Sequence, residues 1–144
     1  MEPLVSKKRV VAAFIPYRKR GDEYEFFLQK RSVDAPRGAG NFGVFGGGVE
    51  ADESFEQGLY REVEEELRYR PTTHRYFSDY EHVRVHFHVF IEAVGADFES
   101  HVVVSEGDFG KFFTAREARE EPLVTDIVRL MTLQIAEYLA KESE

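Results

Sequence analysis

The stretch from Gly46 to Tyr69 constrains this chain more than any other. It opens with Gly46-Gly47-Gly48 and runs into a segment with helical periodicity. Ser54 and Gln57 have capping-box spacing, the hydroxyl reaching forward and the amide reaching back, so the helix starts at Ser54. Phe55, Leu59, Val63 and Leu67 recur at helical spacing and make one apolar stripe. At 100° per residue, Glu62, Glu65 and Glu66 fall within about 100° of arc beside that stripe, while Glu64 points away. Three carboxylates on one edge repel one another by about a few tenths of a kcal/mol per exposed pair. A hard divalent cation offsets that repulsion, because Mg²⁺ takes oxygen ligands and bridges carboxylates to phosphates. The glycines supply a backbone that approaches a metal or phosphate closely and reaches positive φ.

The rest of the chain supplies the frame. Residues 10–15 are a continuous apolar run and predict a buried strand; Gly21-Asp22 marks a turn before a second strand over 24–28. Residues 32–40 read as a loop, and 41–45 as a third strand entering the glycines. Pro71 stops the helix, since the residue before a proline avoids the α region. Residues 76–80 and 82–94 predict a hairpin, with alternation through Val83, Val85, Phe87 and Val89. Residues 101–104 and Phe112-Phe113 predict further short strands. Residues 122–139 form a closing helix, with Leu123, Ile127, Leu130, Met131, Ile135 and Leu139 near helical spacing. The expected fold class is α+β, an α/β/α sandwich in which a mixed sheet is flanked by helices. The 144 residues suit one domain, 1–144.

Charge and cysteine count narrow the function. A net charge of −8 disfavours a long nucleic acid as partner. Lys7-Lys8-Arg9 and Arg18-Lys19-Arg20 read as solvated strand and turn ends. With no cysteine, disulfides, thiolate metal sites and a cysteine nucleophile are excluded. The apolar stretch near the start is too short for a signal-peptide core, and no segment approaches a membrane span. The expected location is the cytoplasm, and a homodimer stays open.

Gly47, Glu53, Arg61-Glu62, the apolar Val63 and Glu65-Glu66 stand at fixed spacing, a pattern of seven specified positions. At ordinary residue frequencies about one chain in 10⁴, or fewer, would carry it by accident. The pattern resembles the Nudix box, and the order of strands and helices resembles the Nudix fold over most of the chain. The resemblance implies a loop–helix–loop in which Glu62, Glu65 and Glu66 bind catalytic Mg²⁺, with Mn²⁺ as a substitute and the Gly46 carbonyl as a further ligand. It implies an ion pair between Glu53 and Arg61 that orients the loop over the helix. The family's glycine two residues after the last glutamate is Arg68 here. With arginine there, the helix is expected to run on until Pro71. Phe45 stands where many members have proline.

The MutT-like members also imply a fourth carboxylate from a later loop, as metal ligand or base. Glu106 is the candidate and Asp108 its competitor. Lys30, Arg31 and Arg37 are candidates for neutralising phosphate, with Arg31 at a position the family uses that way and Gly47 close to substrate. His82, Arg84, His86 and His88 share one strand face, expected as a polar sheet surface. Asp126 is a candidate for reading a base. The implied activity is metal-dependent hydrolysis of a nucleoside diphosphate linked to another moiety, by exclusion a (deoxy)nucleoside triphosphate, with Glu62 or Glu106 as general base. Hydrolysis of another diphosphate, such as ADP-ribose, a nucleotide sugar or a dinucleoside polyphosphate, and a non-catalytic nucleotide-sensing module remain the alternatives. A diphosphate isomerase is disfavoured because those relatives use a cysteine, and RNA decapping by the acidity.

Overall fold

A computed structural model describes residues 8–144, so Lys7 of the first basic run lies outside the described residues. β1 (Arg9–Arg20) is the spine of the sheet. It runs parallel to β6 (Val85–Ala93) along one edge. Its other edge pairs antiparallel with β4 (Phe45–Gly48) near its start and β2 (Glu23–Lys30) near its end. β2 also carries β3 (Phe42–Gly43) and β7 (Phe109–Thr114), and β5 (Arg75–His82) closes the far side next to β6. One parallel pair among antiparallel ones makes the sheet mixed, as the sequence predicts.

The apolar run in β1 is continuous because both of its faces are buried. Val11, Ala13 and Ile15 pack with Met131, Ile135 and Leu139 of α3 (Asp126–Glu142). Ala12 and Phe14 pack with Leu59, Val63 and Leu67 of α1 (Phe55–Leu67). The two helices therefore cover opposite faces, giving the three-layer sandwich. A third cluster joins Leu28, Phe42 and Phe113 to Ala118 of α2 (Ala115–Glu120) and Val128 of α3.

Four local expectations change. α1 does not run on to Pro71: it stops at Leu67 because Arg68 adopts the left-handed conformation, φ 50° and ψ 43°. Arg68 is the only non-glycine with positive φ among the described residues. The left-handed stop that glycine commonly supplies is thus retained with a side chain in place. Residues 101–104 do not form a strand. After a 3₁₀ turn (Phe98–His101) this segment runs beside the end of α1, where the Val103 and Ser105 N–H groups donate to the Leu67 and Glu66 carbonyls. Those carbonyls have no partner within the helix, and the valine segment satisfies them. α2 is an addition, started by a capping box between Thr114 and Glu117 and short enough to escape periodicity. Leu123 and Leu130, expected inside, are exposed at 42% each.

Candidate active site

The site assembles where β4 meets α1. Gly46 has φ +110°, and a Cβ there would sit 2.0 Å from the Ala12 carbonyl oxygen, so only glycine fits. A Cβ at Gly47 would lie 2.4 Å from Glu62 Cδ, so the glycine backbone lies against the carboxylate edge of α1. The expected ion pair is present. Arg61 donates through Nε and Nη2 to the two oxygens of Glu53, at 2.9 and 2.8 Å. Its Nη2 also donates to the Gly48 carbonyl at 2.9 Å and its Nη1 to Glu62 at 2.9 Å. One planar guanidinium thereby staples the loop after β4 to the helix. Donation from Arg61, then from the Glu50 N–H, holds the Glu53 carboxyl down at about 2, so the staple stays charged at any working pH.

The three box glutamates occupy different environments. Glu65 is exposed, Glu62 is partly buried and engaged by Arg61, and Glu66 is only 3% exposed. Glu66 accepts one short hydrogen bond, 2.6 Å, from the Gly46 N–H. Burial pushes its carboxyl up to about 8; the Gly46 N–H opposes this, while Glu106 and Glu62 add like charge. A sealed carboxylate with one donor and two acidic neighbours is a costly arrangement without a cation. The donor set, all hard oxygen, suits Mg²⁺. Among the described residues no three acidic or imidazole groups are yet drawn together closely enough to ligate one ion, and Glu62 is turned toward Arg61.

Glu106 and Asp108 separate. The valine segment that caps α1 delivers Glu106 into the field of Glu66, and the Glu106 carbonyl accepts from Gln29 Nε2 at 2.9 Å. Asp108 turns to Lys30 instead, 3.7 Å away, which also occupies that lysine. Arg31 lies on the site side, its Nε donating to the Arg37 carbonyl at 2.6 Å and its Nη1 to Gln29 at 3.2 Å.

A cleft of about 160 Å³ opens beside Gly46. Phe42, Val44, Val85, Phe87 and Ile127 give it apolar walls, and Arg9, Arg31 and Arg37 line it as well. Asp126 does not reach this cleft: its side chain is 99% exposed and pairs with Arg129, because it opens α3 on the outward side. Thr125 and Ile127, its neighbours, line the cleft. Sequence reading missed Arg9, which looked like the end of a basic run; only its place on β1 beside β4 brings it here. The expected face of His82, Arg84, His86 and His88 does not form, because His82 ends β5 and Arg84 sits in the turn before β6. His86 and His88 lie away from the cleft, on the α1 face of β6, with His86 between Asp79 and Glu81 and His88 stacked on Phe55.

A family model for the NUDIX domain matches residues 7–137. Solved structures share the fold. The MutT protein of Methanosarcina mazei Go1 superposes with a TM-score of 0.72 at 23% identity, covering 99% of each chain. MutT from a study of Aliivibrio salmonicida and Vibrio cholerae gives 0.67 at 24% identity, covering 89% of this chain and 98% of that one. The NUDIX domain of Shewanella oneidensis NrtR, solved with ADP-ribose, gives 0.71 at 16% identity, covering 92% and 88%. No curated protein sequence matches significantly. No helix among the described residues is long and apolar enough to cross a membrane.

Proposed function

The chain belongs to the NUDIX domain family, hydrolases of pyrophosphate bonds, and from that premise we propose that it is a MutT-like pyrophosphohydrolase of (deoxy)nucleoside triphosphates using Mg²⁺. The observation that carries this reading is Glu66: a sealed carboxylate in the field of Glu106 and Glu62, bonded to Gly46, which lines a cleft with apolar and cationic walls. Glu62, Glu65, Glu66, Glu106 and the Gly46 carbonyl would hold the metal, with Mn²⁺ a workable substitute. When bound, the metal supplies charge neutralisation at the diphosphate and acidifies the attacking water.

The chain's own residues do the rest. Phe42, Val85, Phe87 and Ile127 offer apolar surface to a base, and Arg31 offers a planar donor to phosphate. Arg61 and Glu53 hold the glycine loop against α1, so the Gly46 N–H and carbonyl keep fixed positions. Glu106 or Glu62 takes the proton of the attacking water; Arg61 engages Oε1 of Glu62 and leaves Oε2 to accept it. A triphosphate would yield a monophosphate and pyrophosphate.

The test is a product panel of canonical and oxidised dNTPs, ADP-ribose, nucleotide sugars and dinucleoside polyphosphates, with Mg²⁺ or Mn²⁺ and a Glu66→Gln control. Metal-dependent release of pyrophosphate from triphosphates is expected. Cleavage confined to ADP-ribose or a dinucleoside polyphosphate would replace the substrate class. Ligand-induced thermal stabilisation without turnover would replace the hydrolase with a sensing module.

A further inference from the structure

Gln29 is 2% exposed, at a place on β2 where packing does not call for an amide. Alternation puts it on the same sheet face as Phe27, which packs with Phe45, Phe98 and Phe112 on the α1 side. An apolar side chain would continue that row, whereas a buried amide has to be paired. Both polar ends of Gln29 are spent on other segments of the site. Its Nε2 donates to the Glu106 carbonyl at 2.9 Å, and its Oε1 accepts from Arg31 Nη1 at 3.2 Å. These partners fix the amide's orientation, since a carbonyl can only accept and a guanidinium can only donate.

Glu106 depends on such support. It is exposed on a loop, and among the described residues its carboxylate makes no hydrogen bond or ion pair, so its backbone sets where it stands. The loop is tied on either side of it. The Ser105 N–H donates to the Glu66 carbonyl at 2.7 Å and the Asp108 N–H to the Lys30 carbonyl at 2.8 Å. Between these ties, Gln29 is the only partner of the Glu106 backbone among the described residues. Gly107, with φ +80°, lets the loop lie directly on the glutamine. A methyl there would come to 3.0 Å from Gln29 Cγ and 2.7 Å from the Lys30 carbonyl oxygen. We propose that Gln29 is a positioning residue that clamps the Glu106 peptide, sets its carboxylate toward Glu66, and couples that setting to Arg31. The clamp rests on the hydrolase reading, in which Glu106 holds metal or takes the proton, and adds to that site a residue outside the box. A misplacement of about 1 Å at a reacting group can cost about 10²-fold in rate, so one hydrogen bond to a loop carbonyl is enough to matter.

Two variants separate the ends of the amide. Gln29→Met keeps close to the original volume and removes both polar ends. Gln29→Glu keeps an acceptor for Arg31 and has no donor for the Glu106 carbonyl. Both are expected to lower kcat about 10–100-fold, the scale of lost support at a metal site, and KM should hold in Gln29→Glu. If the buried charge unfolds Gln29→Glu, Gln29→Met carries the test. In a Glu106→Gln background, Gln29→Met should lower kcat by less than about twofold more, because the group it positions is already gone. Equal losses in the two backgrounds would reduce Gln29 to packing, and full kcat in either single variant would overturn the clamp. Hydrogen exchange of the metal-free protein in EDTA reads the loop without turnover. Amides 105–108 should exchange about tenfold faster in Gln29→Met, with the rest of the sheet unchanged. Unchanged exchange there would overturn the clamp and leave the hydrolase. Faster exchange there, with a wild type that hydrolyses no diphosphate compound, would keep the clamp and remove the hydrolase.

Discussion

Glu66 and Glu92 are both carboxylates sealed from solvent, 3% and 1% exposed, at opposite ends of one stretch of fold. Glu92, on β6, is surrounded by donors: the Tyr69 hydroxyl and the Thr72 and Thr73 N–H groups at 2.8 Å each. It ties the connection after α1 to the sheet and raises the Tyr69 pKa, after burial has done so. Glu66 has a single donor and two acidic neighbours. The same residue type is thus built as a structural tie in one place and left wanting a cation in the other. Buried charges are normally paired or metal-bound, so the exception points to function.

Exchanging the two carboxylates for neutral groups tests that contrast most strongly. Glu66→Gln is expected to lower kcat by about two orders of magnitude or more, since even outer-shell changes at metal sites cost about 10–100-fold. Its melting temperature should hold or rise, because a repelled charge is removed. Near-normal turnover in this variant would sink the assignment of the site. Glu92→Ala should do the reverse, costing about 1–3 kcal/mol in denaturant unfolding because it strands three partly buried donors, with kcat per folded molecule little changed. Equal stability losses in both variants would erase the distinction.

A pH series in EDTA sharpens it. The folded-state carboxyl of Glu66 is raised to about 8 from an ordinary 4.5. A raised carboxyl favours the folded state fully below the ordinary value and loses that contribution as pH climbs through the raised one. The metal-free protein should therefore lose stability between pH 5 and pH 8, about the window between those two values, and Glu66→Gln should flatten the profile. Gly47→Ala comes next in size. Its methyl displaces Glu62, a flexible side chain, so activity should drop while the melting temperature moves little. The smallest effect is Arg68→Gly, which relieves a side chain at φ 50°. It should add about 0.5–1 kcal/mol of stability with unchanged kcat; a loss of stability would mean that the Arg68 side chain contributes a contact of its own.

Much of the box was legible because its information is local. The Ser54–Gln57 cap, the stripe of Leu59, Val63 and Leu67, and the Glu53–Arg61 pair depend on residues within about two helical turns. Arg68 misled for a related reason: the left-handed stop is a backbone demand that other residues meet at a cost, so the side chain alone does not announce it. Val102-Val103-Val104 misled because β-branched residues predict extended backbone but not its partner, and the partner was a helix end. Asp126 and Arg9 lie at helix and strand starts, where one residue's offset decides which way a side chain faces.

By itself the sequence determined the family pattern, the mixed sheet with a helix on each face, and the edge of α1 that carries glutamates. Those follow from periodicity and spacing, which act over a few residues. The tertiary structure alone decided which glutamate is sealed, that Glu106 rather than Asp108 stands in its field, and that Arg9 joins Arg31 and Arg37 in the cleft. The physical reason is that burial and Coulomb fields are properties of position in space. They are set by residues 20 to 76 places apart in the chain, brought together when β1 becomes the spine of the sheet.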